Sequence, residues 1–247
     1  MGRVLLEVCV DSVESVREAA KGGAGRIELC SALSEGGLTP TVGLLRTVKQ
    51  IIEPKIPVFA MLRPRRGNDF CFSDDEMAVM LLDLEVLKEA GADGFVFGAL
   101  TERGEIDIPN CRRIIQAAGS LPVTFHRAFD VTEEAKSAET CAQIADLGFC
   151  RLLTSGFRTS AEEGMQRIKL LNEKFRQRLV IMPGAGVTDK NAKKIIDETD
   201  CQEIHASARL PKSQETSEIP MGSASSLEPL LVTSSSVVER IVKNLQM

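Results

Sequence analysis

The sequence predicts an α/β fold, a single-domain (β/α)8 TIM barrel, on three observations. Eight short apolar runs alternate with segments of helical periodicity along the chain. Each strand-plus-helix unit occupies roughly 20 to 36 residues, as βα repeats do. The 247-residue length is close to the roughly 250 residues typical of such barrels. A doubly wound open sheet is the competing arrangement, but eight regular units close naturally and no GxGxxG follows the first strand.

The elements follow in order. Val4 to Asp11 (VLLEVCVD) reads as the first strand, and Ser12 caps a helix that Gly22 and Gly23 close. Arg26 to Cys30 is the second strand; the Gly-rich loop SEGGLTP precedes a helix from Thr41. Pro57 to Pro64 is the third strand, followed by a polar loop with Arg65, Arg66 and Asp69 and a helix from about Ser73 to Ala90. Gly94 to Leu100 is the fourth, and Pro109 opens the next helix. Pro122 to Asp130 (PVTFHRAFD) is the fifth, with a helix over Ser137 to Leu147. Arg151 to Gly156 and Leu179 to Gly186 are the sixth and seventh, with helices over Ala161 to Phe175 and Asp189 to Glu198. Glu203 to Ala208 is the eighth, and a last helix spans Val237 to Leu245. Between them, residues 211–236 are rich in Ser, Pro and Glu, a composition expected of a flexible insertion.

Composition narrows the function classes. A net charge of −5 and a pI near 5.3 offer no cationic face to nucleic acid. No apolar stretch has membrane-spanning length and no leader precedes the first strand, so neither a membrane nor secretion is expected. Seven scattered cysteines without a CxxC pair suit a reducing, cytoplasmic compartment.

Barrel chemistry is expected at the C-terminal strand ends, on inward-pointing residues. Alternation places Glu7, Cys9 and Asp11 on one face of the first strand, Glu28 and Cys30 on one face of the second, and Met61, Arg63 and Arg65 on one face of the third. The same parity gives Thr124, His126, Ala128 and Asp130 on the fifth, Thr154 on the sixth, and Glu203, His205 and Ser207 on the eighth. Leu6, Val8, Ile27, Leu29, Phe59, Leu62, Phe125 and Ile204 are assigned to the helix-facing side.

Buried carboxylates need cations or donors beside them, which Arg63, His126 and His205 could supply to Glu7 and Glu28. One reading makes Glu7, Glu28 and His126 the acid/base groups of an enzyme on a phosphorylated or carboxylated small molecule. Arg63, Arg65, Thr154, Ser155, Gly184, Gly186, His205 and Ser207 are then candidates for holding the anion, with the Gly184 to Gly186 turn as a phosphate cradle. A purely structural polar network, in a barrel kept for its interaction surface, is the plain alternative. Thiols suggest a third chemistry, because soft sulfur ligands select Cu(I). Cys9 and Cys30 end neighbouring strands on the same parity, Met61 follows on the next, and Cys71 lies in the loop above the same mouth. Small buried hydrophobes are the plain reading of those cysteines.

Several strings occur together in one order: ELC at Glu28 to Cys30, EGGLTP at Glu35 to Pro40, RPR at Arg63 to Arg65, DFCFS at Asp69 to Ser73, and TFHRAFD at Thr124 to Asp130. LTSG at Leu153 to Gly156, GAGV at Gly184 to Val187, and His205 with Ser207 complete the set. From about Leu5 to Ala208 the chain resembles the copper homeostasis family CutC. The resemblance implies a TIM barrel with a role in copper handling, and Cu(I) bound through cysteine thiols, Cys30 first with Cys71 or Cys9. It also implies a homo-oligomer, a tetramer being favoured, and residence in the cytoplasm and nucleus.

Overall fold

The computed structural model describes residues 4–52, 55–212 and 229–246. Eight parallel strands carry the architecture: β1 (Leu5–Val10), β2 (Arg26–Leu29), β3 (Val58–Met61), β4 (Gly94–Phe97), β5 (Val123–Phe125), β6 (Arg151–Thr154), β7 (Val180–Pro183) and β8 (Glu203–Ala206). They pair in the order β7-β6-β5-β4-β3-β2-β1-β8, and β7 packs against β8 to bring the sheet round to a nearly closed barrel. Each strand up to β7 is followed by a helix: α1 (Val13–Lys21), α2 (Val42–Ile51), α3 (Asp74–Glu89), α4 (Ile108–Ala118), α5 (Ser137–Asp146), α6 (Met165–Phe175) and α7 (Ala192–Thr199). Helix α8 (Ser235–Leu245) completes the ring against α1 and α7. Among the described residues no helix is long and apolar enough to cross a membrane.

Local chemistry sets the helix starts. Ser12 and Thr41 accept backbone N–H groups of the first turns of α1 and α2, and Asp107 does so for α4. Ser73 and Glu76 form a reciprocal capping box on α3. The main core lies between sheet and helices, where Val8, Ile27, Leu29, Phe125, Leu152 and Ile204 are fully buried.

Four expectations change. Strand β5 stops at Phe125 rather than Asp130, because His126 Nδ1 accepts the Ala128 N–H and turns the chain into a 3-10 segment over Arg127–Val131. Strict alternation therefore ends at His126. Phe59, assigned to the helix side, lies inside the barrel with Cys30, Met61 and Val96; it shares the parity of Met61. Thr154 points out of the interior toward Asp130, and it is Arg151 and Leu153 of β6 that face inward. Finally, the ends of the segment expected to be flexible are ordered. Strand β9 (Arg209–Pro211) pairs antiparallel with β10 (Leu231–Thr233), and α8 starts at Ser235; residues 213–228 lie outside the described set.

Candidate functional site

Burying charge inside a barrel requires mutual compensation, and the interior is built that way. Glu203 accepts both Arg151 and Arg26, the Arg151 Nη2 bond being 3.0 Å; Arg26 continues to Glu7, and Glu7 Oε1 meets His205 Nδ1 at 2.8 Å. Both guanidiniums stack on Phe59, 5.2 and 5.5 Å from its centroid. Burial alone would raise the Glu7 pKa, but Arg26, His205 and Arg151 lower it to about 2. Glu7 thus lies below the cavity as a carboxylate held low by its cationic neighbours. Arg26 and Arg151 were missed as interior groups, although Arg26 shares the parity of Glu28.

Above this ladder the strand ends open into a cavity of about 580 Å³. Cys9, Glu28 and His205 border it, each buried, with donor atoms all within 4.8 Å of one another. Cys9, one residue from the end of β1, is registered against Glu28 of β2, while His205 of β8 is registered against Glu7, two residues before Cys9 on the same face. Burial opposes protonation of His205, but Cys9, Glu28 and Glu7 hold its pKa well above the usual histidine value. Burial, with Glu7 nearby, pushes Glu28 up to about 7 against the opposing pull of His205. Its Oε2 has no hydrogen-bond partner among the described residues.

The thiols of the sequence reading separate. Cys30 is fully buried, and its Sγ donates to Glu28 Oε1 at 3.7 Å, so it touches the cluster through that carboxylate. Cys71 is half-buried, bonded to the Asp69 carbonyl at 3.3 Å, and does not border the cavity. Met61 does border it.

The expected anion holders also divide. Arg63 is 6% exposed and lines the cavity; its terminal nitrogens donate to the carbonyls of Glu35, Gly36, Gly37 and Gly67. This explains the glycine pair: Gly36 has φ +86°, and a Cβ there would lie 2.7 Å from Arg63 Nη1. Arg65 turns away to Glu76 at 2.6 Å and Asp69 at 3.1 Å, bracing the start of α3. Thr154 and Ser155 already hold an anion, the chain's own Asp130. Its carboxylate accepts Thr154 Oγ1, Ser155 N at 2.9 Å, Ser155 Oγ at 3.1 Å and Phe157 N at 3.3 Å.

The Gly184 N–H is spent on the Thr154 carbonyl, and a Cβ at Gly184 would lie 2.5 Å from Leu153 Cδ1. That glycine serves close packing. Gly186 and Ser207 border the cavity, while Asp189 pairs with Arg240 of α8 instead of opening α7, which begins at Ala192.

His126 lies at the same mouth, 5% exposed. Burial, with Arg63 close by, lowers its pKa to about 3, so it is neutral. Because Nδ1 accepts the Ala128 N–H at 3.2 Å, Nε2 carries the proton. Phe70, at φ +51°, brings its ring against both groups, with centroid 4.9 Å from the His126 ring and 5.2 Å from Arg63 Cζ. Nothing in the spacing of the sequence marked Phe70 for this place.

Residues 4–210 match the CutC family. A Drosophila melanogaster protein named copper homeostasis protein cutC homolog is 49% identical over 205 residues, covering 83% of this chain and 77% of the relative. The Homo sapiens protein of the same name is 48% identical over 251 residues, covering 98% and 90%. A crystal structure of a CutC protein from Streptococcus agalactiae superposes with a TM-score of 0.79 at 33% identity, covering 83% of this chain and 98% of that one. With this fold, these strings and these relatives, the chain belongs to the CutC family.

Proposed function

We propose that this chain takes part in copper homeostasis by holding Cu(I) at the barrel mouth, with Cys9 and His205 as the main donors and Cys30 close behind. The carrying observation is the gathering of Cys9, Glu28 and His205 donor atoms within 4.8 Å. A thiolate and an imidazole suit Cu(I) far better than the hard cations that carboxylates alone would select. Glu7 on His205 Nδ1 leaves Nε2 for the ion and fixes the ring, as carboxylates behind metal-ligating histidines do. The copper homeostasis names of the relatives agree with this reading. The cluster borders a cavity at the strand ends, so the ion can be loaded and handed on, which suits buffering or transfer.

Relative to the sequence expectation, Cys9 replaces Cys30 as first ligand and Cys71 drops out. An anaerobic Cu(I) titration against a chromophoric chelator tests the assignment. Cys9→Ser should weaken binding by roughly tenfold or more, equivalent to about 1.4 kcal/mol, and Cys71→Ser should leave it unchanged. Parent-like binding by Cys9→Ser, or loss in Cys71→Ser, would remove the proposed site.

A further inference from the structure

Three side chains at the mouth outside the Cys9 cluster, His126, Arg63 and Arg209, each keep one buried nitrogen without a partner among the described residues, and the first two are themselves buried. The side chains of His126 and Arg63 border the same cavity, and His126 Nε2 and Arg63 Nε are buried with no acceptor among the described residues. A buried unmatched N–H costs about 1–3 kcal/mol, so such groups mark the place of an absent acceptor. Arg63 adds a second imbalance. No carboxylate lies within salt-bridge distance of its guanidinium among the described residues, and its terminal nitrogens are occupied by backbone carbonyls. Of the other arginines bordering the cavity, Arg127 pairs with Asp130 and Arg240 with Asp189, whereas Arg209 makes no ion pair among the described residues and its Nε is likewise buried without a partner. The cavity is therefore bordered by positive charge without a carboxylate partner, with Arg63 the buried member.

We propose that the mouth cavity binds a small organic carboxylate, seated on His126 Nε2–H and Arg63 Nε–H, with its apolar body against Phe70, Leu33 and Leu153. Both side chains approach the Phe70 ring, so two single N–H donors belong to groups gathered around one apolar face. Two donors and one net charge match the two oxygens of a carboxylate monoanion. A phosphate would bring a third oxygen and further charge to a guanidinium whose fork is already spent. Phe70 is held in the left-handed region, a strain of about 1–3 kcal/mol, to put its ring where the ligand body would lie. Leu33 and Leu153 line the same space. This ligand site stands independently of copper.

The two histidines of the chain separate the outcomes. Imidazole nitrogens are followed by NMR on the 15N-histidine-labelled protein during titration with benzoate, with its neutral isostere benzamide, and with inorganic phosphate. Benzoate should move the His126 Nε2 signal saturably while benzamide at equal concentration leaves it in place, and phosphate should bind more weakly than benzoate. Arg63→Gln should weaken benzoate by roughly tenfold, the loss of one charge-assisted hydrogen bond. The parent titration decides the matter even if that variant does not fold. An unmoved His126 signal, an equal response to benzamide, tighter binding of phosphate, or a response confined to His205 would each overturn the proposal. Cu(I) binding, read separately by the chelator, should respond to Cys9→Ser and not to benzoate.

Discussion

Replacing Arg26 with Met removes the central cation of the buried ladder while keeping most of its volume. Arg26 is 4% exposed and bridges Glu7, which is fully buried, to Glu203. Without it, Glu7 keeps only His205 as a close partner, whereas Glu203 keeps Arg151. Breaking one side of a buried pair costs ~3–5 kcal/mol. The pKa of Glu7 leads to a similar figure, since a fall from 4.5 to about 2 corresponds to ~3 kcal/mol of carboxylate stabilisation. A depressed carboxylate pKa contributes stability that is present above pH 4.5 and lost as pH falls toward 2. The Arg26→Met deficit should therefore be full at neutral pH and shrink through that window, because Glu7 can then be protonated.

Urea denaturation of the parent, Arg26→Met, Glu7→Gln and the double variant, at neutral pH and at pH values below 4.5, measures both effects. Glu7→Gln in the Arg26→Met background should recover part of the loss, giving a coupling of ~1–3 kcal/mol. A loss below ~1 kcal/mol, strict additivity, or a deficit that does not change with pH would refute this account of the interior.

The two histidines should differ in charge at neutral pH. NMR should find His126 neutral, with its proton on Nε2, and the His205 pKa raised by its carboxylate neighbours; a His126 that titrates near 6.5 would contradict its burial beside Arg63. In stability terms the neutral His126 helps above pH 6.5 and its contribution is lost as pH falls toward 3, so His126→Gln should reduce the acid sensitivity of the fold. At Asp130, substitution by Ala strands the donors of Thr154, Ser155 and Phe157. Thermal melts should show a loss of ~1–3 kcal/mol, with Asn recovering part of it; an unchanged melting temperature would mean that solvent replaces the carboxylate at no cost.

The sequence by itself determined the βα alternation and most of the inward set. Period-two alternation is a local property, so Glu7, Glu28, Cys9, His126 and His205 could be placed on the interior face without knowing their neighbours. It misled where the backbone left the extended state, as at His126, whose ring ends the strand it was used to count. Tertiary structure decided the chemistry. Glu7 and His205 are 198 residues apart, and Arg26 and Glu203 are 177 apart; they meet only because β8 pairs with β1. That closure sets Cys9 rather than Cys71 beside an imidazole, since Cys9 is registered against Glu28 and follows Glu7, the register partner of His205, on the same face of β1, while Cys71 lies on a loop outside the cavity. It likewise spends Thr154 and Ser155 on Asp130 and leaves Arg63 unmatched. Whether a donor is free or already satisfied depends on groups distant in the chain, which is why strand parity could nominate these residues but not assign them.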